Sequence, residues 1–264
     1  MAIVTDNKDL ENLRMSGKIL VTVLEKVAEA VAPGVTTEHL NDIAEKELAA
    51  NGGNPAFKGY QPDSGSIPFP ASICIVLNDE VVHGIPSRRK IYEGDIISLD
   101  FGVEYKGMFT DCAVTLPVGK IAQETKELIA TTYAGLKAGI KAVKTGNTTG
   151  DIGHAVEAKA HPKKYGVIES LIGHGVGYAV HEDPQVPNYG NPGTGAKLQE
   201  NLVIAIEPMF TMGSKQVVLG SDGWTFSTAD ESLAAHFEQT VRVTAKGAEI
   251  ITPYSQKLLQ LCGF

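Results

Sequence analysis

Apolar positions recur at mixed three- and four-residue spacing over residues 7–31. Leu10, Leu13, Ile19, Leu20, Val23, Leu24 and Val27 form one face and predict a helix. Gly34 closes that helix or the turn after it. Thr36 or Thr37 then caps a second helix to about Ala50, with Leu40, Ile43, Ala44 and Leu48 along one side. Residues 51–70, NGGNPAFKGYQPDSGSIPFP, lose all periodicity and read as a long loop carrying aromatic side chains. Ordered loops of that length are often functional. Residues 71–78, ASICIVLN, read as a strand, and DEVVHGIP as a short extended piece and turn. Gln123–Lys144 is again helical. After residue 170 strands outnumber helices, with LVIAIEPMF, VVLG, WTFSTADESL and HFEQTVRVT in turn, and residues 255–264 form a short amphipathic extension.

The strongest strand pattern is DIISLDFGVEYKGMFTDCAVTL, 95–116: two apolar runs around a turn at Tyr105–Gly107. Each run carries one aspartate where the pattern asks for a core residue, Asp100 and Asp111. A loop at Tyr105–Lys106 pairs the two aspartates directly; a loop at Lys106–Gly107 pairs Asp111 with Gly102 instead. In both registers the carboxylates leave the same face of the sheet. Either they are strand-end aspartates facing water, or they are buried together and need a shared proton, a basic partner or a cation.

A faint internal repeat runs at an offset of 112 residues. Val31, Gly34, Thr36, Thr37 and Glu45 match Val143, Gly146, Thr148, Thr149 and Glu157. Both stretches describe a helix end, a tight turn, a threonine cap and a new helix. The expectation is a single catalytic domain over residues 1–264, built from two similar α+β halves at roughly 1–118 and 119–254, with a seam where a site can lie.

Composition narrows the partners. The chain has 264 residues, 43% hydrophobic and 20% charged, with a formal net charge of −8. This is the profile of a soluble globule and is unsuited to neutralising nucleic-acid phosphates. Cys74, Cys112 and Cys262 are odd in number and far apart, which argues against a disulfide scaffold and for a reducing compartment. No apolar run is long enough to span a bilayer, and the start MAIVTDNKDLENL lacks the features of a secretory signal. A cytoplasmic location is expected.

Further carboxylates and one histidine interrupt or join strand-like runs: His174 in IGHGVG, Glu207 in VIAIEPMF and Glu238 in AHFEQTVRV. With Asp100 and Asp111 they make a mixed nitrogen and oxygen set for hard or borderline divalent ions, and shared carboxylates suit a two-metal site. This order and spacing, with HGIP at 83–86 and the GHGVG…HEDP run, closely resembles the bacterial-type (type I) methionine aminopeptidases. The resemblance extends from Met15 to Tyr254. It implies the pita-bread fold, with pseudo-symmetric α+β halves around a curved antiparallel sheet. It also implies two divalent ions (cobalt, manganese, iron or zinc) holding a water that attacks the first peptide bond.

The roles the resemblance implies are these. Asp100 chelates one ion, Asp111 and Glu238 bridge, and His174 and Glu207 complete the other. Glu207 also shuttles the proton. His181 binds the scissile carbonyl oxygen, and His83 lines the pocket near the substrate's first backbone N–H. A methionine side chain needs a narrow apolar slot with polarisable walls. Tyr60, Phe69, Cys74 and Trp224 are the candidates the resemblance raises, and Phe57 is a further aromatic in the loop. His236 shares the strand parity of Glu238 and can reach the site; His39, His154 and His161 read as structural.

Two features depart from the family pattern. Eight residues, QPDSGSIP, separate Tyr60 from Phe69 where a much shorter turn is usual, and Val180 precedes His181 where some relatives carry an aromatic. The implied activity is removal of the initiator methionine from nascent chains with a small second residue, at the ribosome and by a monomer. Two alternatives share the fold: an Xaa-Pro aminopeptidase, and a binding protein that has lost its metals.

Overall fold

Two helix pairs flank a curved antiparallel sheet in a computed structural model that describes residues 1–62 and 64–264. Helix α1 (Asn7–Glu29) starts where the Asp6 carboxylate accepts from the Lys8 and Asp9 N–H groups. Thr36 caps α2 (Thr37–Ala50) by accepting from His39 N–H. In the other half α3 (Gln123–Ala142) precedes α4 (Thr149–Ala160), which opens on a capping box of Thr148 and Asp151.

The faint repeat is a backbone equivalence. Gly34 and Gly146 both take left-handed backbone, φ 91° and 92°, at the turn between paired helices. Gly34 N–H donates to Ile91 O and Gly146 N–H to Leu198 O. One turn on, Thr37 N–H donates to Arg89 O and Thr149 N–H to Ala196 O. The fold is therefore α+β, with two pseudo-symmetric halves around the sheet, as the pita-bread expectation required.

Among the described residues the main sheet has nine strands, and its centre takes neighbours from both halves. The hairpin Ile96–Tyr105 and Met108–Pro117 pairs through Glu238–Thr244 to Val203–Ile206 and then Gly173–Gly175. The hairpin adopts the second of the two registers open from sequence: Gly102 faces Asp111 and Tyr105 faces Met108. Lys106 and Gly107 form the loop, and both have positive φ, 50° and 83°, the geometry of the tight turn that matches strand twist. Both aspartates consequently leave one face.

The other face is covered by helices. Ser16 of α1 donates its hydroxyl to Val103 O at 2.9 Å and bonds Thr110 Oγ1 at 2.8 Å. The core beneath holds Leu20, Leu24, Leu99, Phe101, Leu136 and Ile206, all fully buried, from both halves. The terminal extension forms α5 (Gln256–Leu261), capped by Ser255; Leu258 is buried and the Phe264 ring lies 4.6 Å from that of Tyr133 on α3. No helix among the described residues is long and apolar enough to cross a membrane.

Candidate active site

The concave face of the sheet floors a cavity of about 680 Å³. Asp100 and Asp111 enter it from the hairpin, Glu238 from the adjoining strand, where it pairs with Ala113, and His174 from Gly173–Gly175. Glu207 follows the strand Val203–Ile206 directly, its carbonyl held by Asn188 Nδ2 at 3.0 Å. All five side chains singled out as donors thus line one floor.

Two threonines fix the main chain there. Thr240 Oγ1 accepts from Asp111 N–H at 2.9 Å and donates to Asp111 O at 2.8 Å. Thr115 Oγ1 does the same for His236, accepting from its N–H and donating to its carbonyl at 2.8 Å each. Each hydroxyl replaces the pair of ladder bonds a neighbouring strand would supply. Tyr254 adds a third lock, its hydroxyl accepting from Glu238 N–H and bonding the Ala113 carbonyl at 2.7 Å.

His174 Nε2 lies 3.7 Å from Glu207 Oε1 and 4.0 Å from Asp111 Oδ2. Its Nδ1 is 2.8 Å from Gly175 O, so that nitrogen carries the proton and Nε2 presents a lone pair to the carboxylates. Among the described residues two groups of three donors could hold metal ions: Asp111, His174 and Glu238, and Glu207, His236 and Glu238, each with donor atoms within 4.8 Å of one another. Glu238 is common to both.

The electrostatics fit divalent cations. Burial, reinforced by neighbouring carboxylates, pushes Asp100, Glu207 and Glu238 well above the usual carboxylate range. Burial also raises Asp111 to about 7. The imidazoles are driven the other way by burial, His174 and His236 to about 3, His83 and His181 to about 4. Neutral imidazoles and crowded carboxylates repel nothing from a dication and gain from one. Buried Asp100 Oδ1 and Glu238 Oε1 also have no hydrogen-bond partner.

The remaining candidates stand around this floor. The His181 ring is 4.4 Å from His174 and 4.9 Å from Tyr60. His83 takes a positive φ of 60° at the bend after Glu80–Val82, with its ring edge-on to Trp224 and Phe226 at 6.1 and 6.0 Å. Phe57, Phe69, Cys74, Val180 and Trp224 form one buried apolar cluster, with Tyr60 packed on it. The Phe57 ring lies against Gly102, where any β-carbon would come within 2.5 Å of it. The eight-residue segment does not displace Tyr60 or Phe69: Phe69 N–H donates to Tyr60 O at 2.9 Å, and Trp224 Nε1–H donates to Ile67 O at 3.0 Å. Asp63 lies within that segment and outside the described residues. Val180 is buried in the same wall.

Phe226, Leu171 and Leu219 also line the cavity and were not singled out from sequence. All three come from short strands or turns without periodicity; the edge-on approach of Phe226 to His83 is visible only in three dimensions. His154 and His161 are exposed beside Glu157, and His39 is exposed on α2.

Carboxylates and imidazoles converging at the centre of a pseudo-symmetric pita-bread fold define a dinuclear metallohydrolase. The comparisons with known proteins agree. The chain belongs to metallopeptidase family M24, whose model matches residues 11–245, and within it to the bacterial-type methionine aminopeptidases. It is 42% identical over 253 residues to a methionine aminopeptidase from Clostridium acetobutylicum, covering 96% of this chain and 99% of the relative. The solved methionine aminopeptidase from Thermotoga maritima is similar at 39% identity with a TM-score of 0.91, covering 96% of this chain and 99% of that one. A prolidase from Pyrococcus horikoshii shares the fold alone, at 22% identity and a TM-score of 0.77, and this chain spans 65% of its length.

Proposed function

We infer that this chain removes N-terminal methionine from nascent proteins and peptides whose second residue is small. The observation that carries the reading is the union, in one cavity, of the carboxylate and imidazole floor with a wall of Phe69, Cys74 and Trp224. That wall offers a thioether the polarisable contacts it favours.

Asp100, Asp111, His174, Glu207 and Glu238 would hold two divalent ions. Held there, divalent ions would supply a water activated near neutral pH and polarisation of the scissile carbonyl. Glu207 takes the proton released at attack and delivers it to the leaving amine; burial and Asp111 raise its pKa, which suits a group that must hold a proton in transit. His181, neutral and at the rim of the floor, donates to the carbonyl oxygen as negative charge develops there. His83 orients the first backbone N–H. Tyr60, Phe69, Cys74 and Trp224 receive the methionine side chain, with Phe57 behind them.

Residues 1–118 and 119–254 act as one catalytic unit, because neither half alone carries the full donor set. The nascent chain at the ribosome, in the cytoplasm, is the natural source of substrate, and one copy of the chain suffices for the site.

Steady-state release of methionine from Met-Ala-Ser, with Xaa-Pro peptides as the comparison, tests this. Rapid release from the first, none from the second, and loss on chelation with recovery on adding cobalt or manganese are expected. Preference for Xaa-Pro peptides would replace this reading with a prolidase-like one. Inactivity towards both with metal bound would leave a binding protein.

A further inference from the structure

A peptide bound in the cavity leaves it past the lining residues that are exposed. Among the described residues these are Pro62, His181, Asp183, Gln185, Leu219 and Gly223. Asp183 and Gln185 are polar and share the strand Glu182–Val186. Pro62 and Leu219 are apolar and come from the two segments that meet at Trp224. Beside them Ile67 is 66% exposed, more than any other large apolar side chain among the described residues, and Leu219 is 54% exposed. Neighbouring exposed apolar groups at the edge of a cavity mark a contact surface, whereas single ones do not.

Trp224 ties these groups together. Its Nε1–H holds the Ile67 carbonyl at 3.0 Å. Leu219 pairs across the antiparallel ladder with Phe226, which lines the cavity, so both side chains leave one face. Asp222 closes the turn between them, accepting from the Trp224 and Thr225 N–H groups at 2.9 Å each. The loop after Tyr60 is held as firmly: Gly59 N–H donates to Phe69 O at 2.8 Å, and Gln61 Nε2 to Ser66 O at 2.8 Å. Groups already held in place lose little freedom when a ligand covers them.

In an extended peptide alternate side chains leave opposite sides, so residues one and three share a side, about 7 Å apart. With methionine against Trp224, the third side chain is directed outward along the same wall, and the small second one away from it. We propose that Pro62, Ile67 and Leu219 form a subsite for the third residue of the substrate, and that it takes large apolar side chains such as leucine. The lengthened segment between Tyr60 and Phe69 supplies two of its three members.

The inference deepens the proposed methionine release and rests on it. Its test compares Met-Ala-Leu-Gly amide with Met-Ala-Ser-Gly amide on the cobalt-loaded enzyme. A leucine about half covered gains about four- to tenfold, so KM should be lower by that factor for the first peptide, with kcat unchanged. Leu219→Ser should at least about halve the difference, and Ile67→Ser combined with Leu219→Ser should bring the peptides within about twofold. Ile250→Ser, at an exposed apolar residue on the strand Gly247–Ile250, should keep the full difference. Equal KM values in the unaltered enzyme, or a difference that survives the double variant, overturn the subsite; methionine release from both peptides then leaves the peptidase reading standing. Release from neither overturns both. The comparison of peptides needs no variant, so misfolding of the double variant cannot hide an absent preference.

Discussion

Thr240→Val isolates the contribution of one hydroxyl to the geometry of the floor. The substitution preserves shape and removes the oxygen that both accepts from Asp111 N–H and donates to Asp111 O. Thr240 is fully buried, so water cannot replace it. Each buried backbone group left bare costs about 1–3 kcal/mol, so the pair costs about 2–6 kcal/mol. The neighbouring bond from Thr240 N–H to Thr252 Oγ1 is untouched and does not enter the sum. Urea unfolding of the metal-free protein should show a lower midpoint at unchanged slope, the sign of lost stability without altered compactness. For a chain of this size the thermal midpoint should drop by about 4 °C or more. Thr22→Val is the control: it removes a single helical back-bond on an exposed face and should stay within about 0.5 kcal/mol. A Thr240→Val protein as stable as that control would refute the view that this hydroxyl completes the sheet at Asp111.

Three further outcomes are expected. His181→Ala should lower kcat for Met-Ala-Ser by about 100-fold or more while bound metal, measured by elemental analysis, stays constant; parallel loss of metal and rate would contradict a role at the developing oxyanion. Trp224→Phe keeps the ring beside Phe69 but loses the bond to Ile67 O. KM should rise about fivefold, the equivalent of about 1 kcal/mol, with kcat nearly constant, and an unchanged KM would show that this bond does not shape the pocket. The metal-free protein should lose stability as pH rises through about 7. Asp111, Asp100, Glu207 and Glu238 have folded pKa values above their unfolded ones, so their stabilising contribution is complete below about pH 4 and is lost as pH rises through the folded values, about 7 for Asp111. The depressed histidines act oppositely, contributing above about pH 6.5 and losing that contribution as pH falls towards 3–4, so they are flat in this window. Thermal melts with and without cobalt should converge below pH 7 and diverge above it; equal pH dependence in the two would count against a carboxylate floor.

The parity of Asp100 and Asp111 was legible in the sequence because strand alternation survives either hairpin register. The register itself was not, until the positive φ angles of Lys106 and Gly107 selected it. The helix pairs and their threonine caps were legible because periodicity and capping are local. The loop 51–70 hid more: Asn54–Pro55 joins the sheet opposite Val103 and Glu104, and Phe57 is buried against Gly102, both decided by contacts distant in sequence. Thr115 and Thr240 could not be singled out, since a β-branched residue in a strand looks the same whether its hydroxyl is idle or replaces a ladder bond. Parity placed His236 within reach of Glu238, but its distance to Glu207 depends on the break at Phe237, which carries no turn residue to announce it.

Thr115 sits in the first half and holds a residue of the second; Thr240 sits in the second half and holds a residue of the first. The midline is thus stitched in both directions by the same kind of knot. Swinging one half away from the other would undo the very bonds that aim Asp111 and His236, so the cleft behaves as a fixed mould and not as a jaw. Ligands are then sorted by how well they fill a shape that already exists, and compact, rigid molecules are favoured over those that gain only when walls close around them.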